Sequence, residues 1–457
     1  MMEIDYFADA ESVSLEEMLA AREYRVCIQQ TILQEYKKPL ISFTLNIPGE
    51  YKIYPLVFQA FEEGKQAIEC LLNRKTILSA RVESFVKKTG CEAFYWADYP
   101  ATDLKQLMLS VEEYHPLGRF FDIDVLDADG TPLHGVECGR KERPCFICGK
   151  PVWKCSRSRT HSADTLAIHT ASQLRDYFAG QYAGKIGQFA VRALLYEVSV
   201  TPKPGLVDRG NSGSHTDMDF FTFIDSGCSL ISYFQDVTRV SILFDGKPEH
   251  LLERIRPLGI AAEETMFAHA GGVNTHKGLI YSMGIVCAAL GYLRQSGDEV
   301  QAESIFNMCA RIAGTALNEF KVSEQQAKTN GELVYEQYKI PGIRGEVLQG
   351  FPNVRDYSLP VMERMVKQGC SLNDAGIIAL LHLIAHVDDT NIIHRSNLQR
   401  AEQIKSQLRE HLEIESDEAN LVKLSEALDT EFIAERLSPG GCADLLAITF
   451  LIYFVLQ

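Results

Sequence analysis

The stretch Gly118-Arg119-Phe120-Phe121-Asp122-Ile123-Asp124-Val125 decides how the first half of the chain folds. Its residue types alternate, so in a strand Asp122 and Asp124 share one face while Phe121, Ile123 and Val125 occupy the other. Residues 120–126 and 131–136 read as two strands joined by Asp127-Ala128-Asp129-Gly130, a hairpin signal. A further strand is expected over residues 40–45. Ahead of it, residues 14–36 read as an amphipathic helix. Ser14 and Glu17 make its capping box, and Leu15, Met18, Leu19, Val26, Ile32 and Leu33 its apolar stripe. The first half is therefore expected to be α+β.

From about residue 180 the strand signals fade. Residues 278–292, 376–387 and 443–456 are apolar nearly all round, the pattern of helices buried on every side. Between them lie loops rich in glycine, proline, asparagine and charge. The second half is expected to be an all-α domain, with the boundary between residues 169 and 187.

Over 457 residues, 45 basic side chains stand against 61 acidic ones, a net charge of −16. That balance argues against a nucleic-acid coat or a polybasic membrane anchor. The N-terminus lacks the pattern of a secretory signal. The longest apolar run, residues 445–456, falls short of the roughly 20 residues that span a bilayer. The 12 cysteines then read as reduced cytoplasmic thiols unless some bind metal. A cytoplasmic protein is expected, with no membrane or nucleic-acid partner.

Two carboxylates as close as Asp122 and Asp124 repel one another unless a cation sits between them, and Mg²⁺ prefers such oxygen ligands together with substrate phosphates. A strand-borne Asp-x-Asp after a glycine turn is also how nucleotidyltransferases hold their metals. The alternative is a solvated strand face. Further on, Cys145, Cys148, Cys155 and His161 have spacing compatible with a Cys₃His zinc site. The reading preferred from sequence is three buried thiols and an unrelated histidine, with Arg157 and Arg159 available to phosphates.

Thr44-Leu45-Asn46-Ile47-Pro48-Gly49-x2-Lys52, His115-Pro116-Leu117-Gly118-Arg119 running into Asp122-Ile123-Asp124-Val125, Arg143-x-Cys145-x2-Cys148 and Cys155-x-Arg157 occur in this order. Together they resemble the apo-citrate lyase phosphoribosyl-dephospho-CoA transferases. The resemblance implies a transferase domain over residues 1–175, nucleotidyltransferase-like in fold. It would attach a prosthetic group to a serine of the citrate lyase acyl carrier protein and release diphosphate. It also implies Asp122 and Asp124 as catalytic metal ligands and Lys52, Arg119 and Arg157 as phosphate contacts.

In the second half the polar loops carry the signal. Residues 197–219 hold Glu197, Lys203, Arg209, Asp217 and Asp219, with glycines that let a backbone approach an anion. Asp217 and Asp219 precede a helical run and equally suit its cap. Gly271-Gly272-Val273-Asn274-Thr275-His276-Lys277-Gly278 leads into a buried helix, the parts of a phosphate cradle. Asp388 and Asp389 follow an apolar helix whose C-terminal dipole opposes them, so a bound cation is expected. His382 and His386 lack the glutamate of a zinc protease motif and read as core or supporting histidines.

With Glu263-Glu264-x-Met266, Arg344-Gly345-Glu346 and Ser438-Pro439-Gly440-Gly441-Cys442-Ala443-Asp444, this set resembles the triphosphoribosyl-dephospho-CoA synthases, an all-α family. One departure is visible: His269-Ala270 stands where an alanine-threonine pair is expected. The resemblance implies a synthase domain over residues 180–457 that joins ATP to dephospho-CoA and releases adenine. Lys203, Arg209, Gly271, Gly272, Asn274 and Lys277 would bind the nucleotide. Asp217, Asp219, Asp388 and Asp389 would hold Mg²⁺, with Glu197 or Glu263 as the acid or base. The rival readings are the same chemistry on a malonate decarboxylase carrier, and one half serving only to dock the carrier.

Overall fold

Ser14 opens the first helix by accepting the Glu17 N–H at 3.2 Å, while Glu17 Oε2 accepts the Ser14 N–H at 2.8 Å. This reciprocal cap satisfies two donors that a helix start otherwise leaves bare. The chain, seen in a computed structural model, is described over residues 6–8, 10–135, 138, 144–314, 330–415 and 417–457. Val136 and Arg143, quoted above, lie outside those residues. The fold divides into two compact units, Met1–Phe178 and Ala179–Gln457.

The first unit holds α1 (Leu15–Tyr36), β1 (Leu40–Leu45), α2 (Pro55–Arg74), β2 (Ser79–Lys87), β3 (Gly90–Ala97), α3 (Ala101–Tyr114), β4 (Phe121–Leu126) and α4 (Val152–Ser158), and it ends within α5 (Ala163–Ser199). The four strands form one antiparallel sheet in the order β2-β3-β1-β4. Ile41, Phe43, Ala93, Tyr95, Ile123 and Val125 fall on one face and pack with the apolar sides of α2 and α3. On the opposite face Leu40 and Phe94 meet Ile28, Ile32 and Leu33 of α1.

Three sequence expectations change here. Strands β2 and β3 were not anticipated; they meet at a turn where Gly90 takes φ +137°, a conformation open to glycine. The return arm over residues 131–136 reduces to one bridge, Leu126 to Pro132, because proline brings no N–H to a ladder. The α1 stripe is buried only where the sheet lies beneath it, so Leu15, Leu19 and Val26 remain exposed.

β4 is the outer strand, and α3 attends to its free side. Lys105 Nζ, fully buried, donates to the Ile123 carbonyl at 2.7 Å, and the Ile123 N–H donates to Glu112 Oε1 at 2.9 Å. Gly118 permits the approach of this corner to α3, since a Cβ there would lie 2.4 Å from the Glu112 carbonyl oxygen.

The second unit is helical throughout its described residues. After the remainder of α5 come α6 (Phe220–Ser229), α7 (Ile231–Ile242), α8 (Leu251–His269), α9 (Lys277–Ser296), α10 (Ala302–Ile312) and α11 (Asn330–Tyr338). Then follow α12 (Gly342–Leu348), α13 (Leu359–Lys367), α14 (Leu372–His386), α15 (Thr390–Arg395), α16 (Leu398–Ile414), α17 (Glu418–Glu435) and α18 (Gly440–Leu456). As their composition predicts, α9, α14 and α18 are buried on nearly every side. Around them α7, α8 and α10 pack on α9, and α16 and α17 on α14. Among the described residues no helix is long and apolar enough to cross a membrane.

Candidate functional site

In the first unit the strand register assembles a polar face. Thr44 of β1 pairs with Asp122 on one side and Glu92 on the other, and Ser42 pairs with Asp124. Asp122 and Asp124 therefore share a face, as the alternation predicts, roughly 7 Å apart along β4. Asp122 is half-buried and Asp124 exposed. The same face receives α1: Arg25 ion-pairs with Glu92 at 2.9 Å, and Gln29 Nε2 donates to Ser42 Oγ at 3.0 Å.

Of the cations expected beside these carboxylates, Lys52 is half-buried and donates to the Ile47 carbonyl at 2.6 Å. Burial and then the charge of Arg22 hold its ammonium pKa below the usual lysine range. Arg119 lays its guanidinium over Phe146 at 4.3 Å, and Phe146 stacks on Phe120. Arg157 sits exposed in the last turn of α4. Sequence reasoning missed Arg22, Arg25 and Glu92. The Arg22-x2-Arg25 spacing on one helix face was the available signal.

In the second unit two expected acid/base candidates are found paired with two expected phosphate ligands. Glu197 and Lys203 form a buried ion pair, 3% and 1% exposed. Burial pushes the Glu197 carboxyl upward; Lys203 opposes this and Asp208 adds to it. Lys203 is thus no open anion ligand, because its ammonium is committed to Glu197. Glu263 and Lys277 pair at 3.0 Å on a partly exposed surface.

The loop between residues 200 and 219 is organised by Asp208, for which no role was expected. Asp208 accepts from Thr201 Oγ1 at 2.7 Å, the Lys203 N–H at 2.9 Å and the Gly210 and Asn211 N–H groups at 2.6 and 3.0 Å. Arg209 turns outward and donates to Asn373 Oδ1. Asp219 caps α6, accepting from Thr222 N–H at 2.9 Å, while Asp217 is exposed, 3.9 Å from His215. The capping alternative holds for Asp219.

Asp389 also has a different place from the one expected. It begins α15 instead of ending α14: Oδ1 accepts from Asn391 and Ile392 N–H, and Oδ2 accepts from Cys442 N–H at 2.8 Å. A carboxylate there meets the favourable end of two helices, so the dipole argument for a cation is reversed. Asp388 instead ion-pairs with Lys405. Among the described residues, the one group of three or more Cys, His or carboxylate donors that converges is Cys145, Cys148, Cys155 and His161. The four carboxylates assigned to Mg²⁺ do not gather in that way.

A different carboxyl stands out by its surroundings. Asp444, in the first turns of α18, sits against Gly278 of α9, where a Cβ would lie 2.1 Å from Oδ2. Its carboxyl is pushed well above the usual range by burial, then by the charges of Glu197 and Asp389. Burial likewise raises Asp389 and Glu346. The charges of Glu197 and Asp389 thus both act on Asp444 near the starts of α9 and α18. Beside them Gly271 and Gly272, at φ +63° and +86° with open space around them, form an exposed turn, and Asn274 Oδ1 accepts the Lys277 N–H. The Gly272 and Val273 N–H groups already donate to the Phe267 and Ala270 carbonyls, which leaves the Lys277 side chain as the cation at this helix start.

Comparison with known proteins bears on both units. Residues 183–457 match the family described as ATP:dephospho-CoA triphosphoribosyl transferase, and residues 13–177 match apo-citrate lyase phosphoribosyl-dephospho-CoA transferase. The chain is similar to "Protein CitXG" of Haemophilus influenzae, 32% identical over 97% of both chains. It is 33% identical to "Protein CitXG" of Leuconostoc mesenteroides subsp. cremoris over 98% of both. A third relative, the 2-(5''-triphosphoribosyl)-3'-dephosphocoenzyme-A synthase of Haemophilus ducreyi, is 36% identical over 66% of this chain and 97% of its own.

Proposed function

Because the chain belongs to the family that fuses an apo-citrate lyase phosphoribosyl-dephospho-CoA transferase to an ATP:dephospho-CoA triphosphoribosyl transferase, we propose that each unit carries one of two consecutive group transfers. The chain is an enzyme with both activities. ATP and dephospho-CoA are the substrates of the first transfer, and the citrate lyase acyl carrier protein accepts the second. With all 12 cysteines free, a cytoplasmic location fits this chemistry.

In the second unit the ribose 2′-hydroxyl of dephospho-CoA attacks the anomeric carbon of the ATP ribose. The glycosidic bond breaks, adenine leaves with its electron pair and takes up a proton, and the triphosphate stays attached. Charge of oxocarbenium type develops at the anomeric carbon, by analogy with glycoside cleavage. Asp444, whose carboxyl is raised by burial and then by the charges of Glu197 and Asp389, supplies the proton to adenine. The carboxylate left behind faces the developing positive charge and takes up the proton that the 2′-hydroxyl loses. Gly271, Gly272, Asn274 and Lys277 cradle the triphosphate at the start of α9. Of the residues expected to hold Mg²⁺ here, Asp219 and Asp389 have their oxygens engaged by N–H groups and Asp388 is engaged by Lys405. That set does not fit one ion, and no step depends on it.

In the first unit the carrier serine Oγ attacks the α-phosphorus, diphosphate leaves and takes up the proton that the serine loses, and a phosphodiester remains. Arg22, Lys52, Arg119 and Arg157 bind the phosphates, while Arg25 stays paired with Glu92. Asp122 and Asp124 fit Mg²⁺, two adjacent carboxylates with one open to solvent, as in a nucleotidyltransferase-like site. When bound, the ion would neutralise charge on the leaving diphosphate.

The observations that carry this reading are the seat of Asp444 against Gly278, where the charges of Glu197 and Asp389 reach it, in one unit and the Asp122/Asp124 face in the other. Chromatography of small molecules, with mass analysis of the carrier, tests it. Asp444→Asn is expected to lower adenine release at least about 100-fold, the scale of a lost acid catalyst. Asp122→Asn should leave adenine release intact and abolish carrier labelling. Equal loss of both activities in Asp122→Asn, or loss of carrier labelling in Asp444→Asn protein supplied with the triphosphoribosyl-dephospho-CoA intermediate, overturns the division of labour.

A further inference from the structure

We propose that Cys145, Cys148, Cys155 and His161 form a closed structural zinc site in the first unit, independent of the reading of either active site. The four donor atoms all lie within 4.8 Å of one another, and the Sγ atoms of Cys148 and Cys155 are 3.3 Å apart. Around a tetrahedral Zn²⁺ with Zn–S near 2.3 Å, sulfur–sulfur edges are about 3.8 Å, so small shifts seat an ion.

The local backbone is built for this. Cys145 and Cys148 flank a tight turn closed by Cys145 N–H to the Lys150 carbonyl and Gly149 N–H to the Cys145 carbonyl. The N–H groups of Ile147 and Cys148 point at the Cys145 sulfur, as around a metal-bound thiolate. Gly149 takes φ +69°, the left-handed conformation that lets the chain leave the second cysteine. Cys155 is buried on α4, and the left-handed Arg159 after that helix returns the chain, bringing His161 to the sulfurs.

A second observation points to a ligand. His161 Nε2 is buried and has no hydrogen-bond partner in the protein. A coordinate bond would satisfy it, whereas a disulfide between Cys148 and Cys155 would leave both Cys145 and this nitrogen over. The preference for unrelated thiols, drawn from sequence, is thereby reversed. The site has a consequence for chemistry. Phe146, inside the turn, stacks on Phe120 and lies beneath the Arg119 guanidinium, and its carbonyl contacts His169 Nε2 at 3.1 Å. The metal would therefore fix the platform on which a phosphate-binding arginine rests.

Full-length protein purified without metal-affinity resin should contain about one zinc per chain. Cys148→Ser and His161→Gln, at exposed and half-buried positions, should each retain about a tenth of that or less after dialysis against a mild chelator. Cys228→Ser, an exposed cysteine of the second unit, should keep full occupancy. Cobalt-substituted protein should show thiolate-to-metal charge transfer and the visible bands of tetrahedral Co²⁺. Folded, reduced wild-type protein with near-zero zinc and no such cobalt spectrum overturns the proposal. So does a mass showing Cys148 joined to Cys155 by a disulfide in protein kept under reductant.

Discussion

Burial, then the charges of His386 and Arg364, hold the pKa of His382 down at about 4, against 6.5 for the free side chain, which offers a test at the scale of one residue. The folded state thus keeps His382 neutral where the unfolded chain already binds a proton. The stability from this group is present above pH 6.5 and is lost as pH falls toward 4, by at most about 1.4 kcal/mol per pH unit. Urea unfolding of His382→Gln across that window should show a shallower acid loss than wild type. Parallel curves would remove His382 from the account. Burial also hides roles from the sequence. Asp444 was visible only as the end of the motif that starts at Ser438, because its significance rests on Glu197 and Asp389, which lie far away in sequence. Lys203, a lysine in a glycine-rich loop, looks exposed until the fold buries it on Glu197. Asp122 and Asp124 were legible because a period of two is local and needs no tertiary knowledge.

Elements carry information that no residue does. α1 reads as a packing helix, yet its middle turns bring Arg25 and Gln29 to Glu92 and Ser42, beside the Asp122/Asp124 row. The apolar stripe drew attention to the wrong side of its role. The buried helices were readable because continuous apolar composition leaves one solution, burial all round. β2 and β3 carried strand-forming residues, Val82, Phe85 and Val86 before the Thr89-Gly90 turn and Phe94, Tyr95 and Trp96 after it, and could have been found. The contact between α9 and α18 shows how much one missing methyl decides. A Cβ on Gly278 would stand 2.1 Å from Asp444 Oδ2. A carboxylate can swing aside more easily than two helices can part, so Gly278→Ala should fold with near-native circular dichroism. Adenine release should fall at least about 10-fold, because the acid is displaced from its working position. Full activity in that variant would show that the Asp444 position is not critical.

At the scale of the whole molecule, two chemistries share a chain while each unit keeps its own core and its own polar centre. The product made in one unit is a small, soluble molecule, so the two reactions need not occur in the same polypeptide. An equal mixture of Asp122→Asn and Asp444→Asn proteins, given ATP, dephospho-CoA and apo-carrier, should recover carrier labelling by exchange through solution. Labelling no higher than in either variant alone would mean that the intermediate does not leave the chain that made it. The brace that α3 places along β4 bears on how the carrier arrives. With the outward N–H and C=O of Ile123 already taken by Glu112 and Lys105, a guest polypeptide finds no ladder to join beside Asp122 and Asp124. On the proposed function, the carrier serine is then expected on a projecting loop or helix end lowered onto the sheet face, recognised there by side chains and not by borrowed backbone pairing.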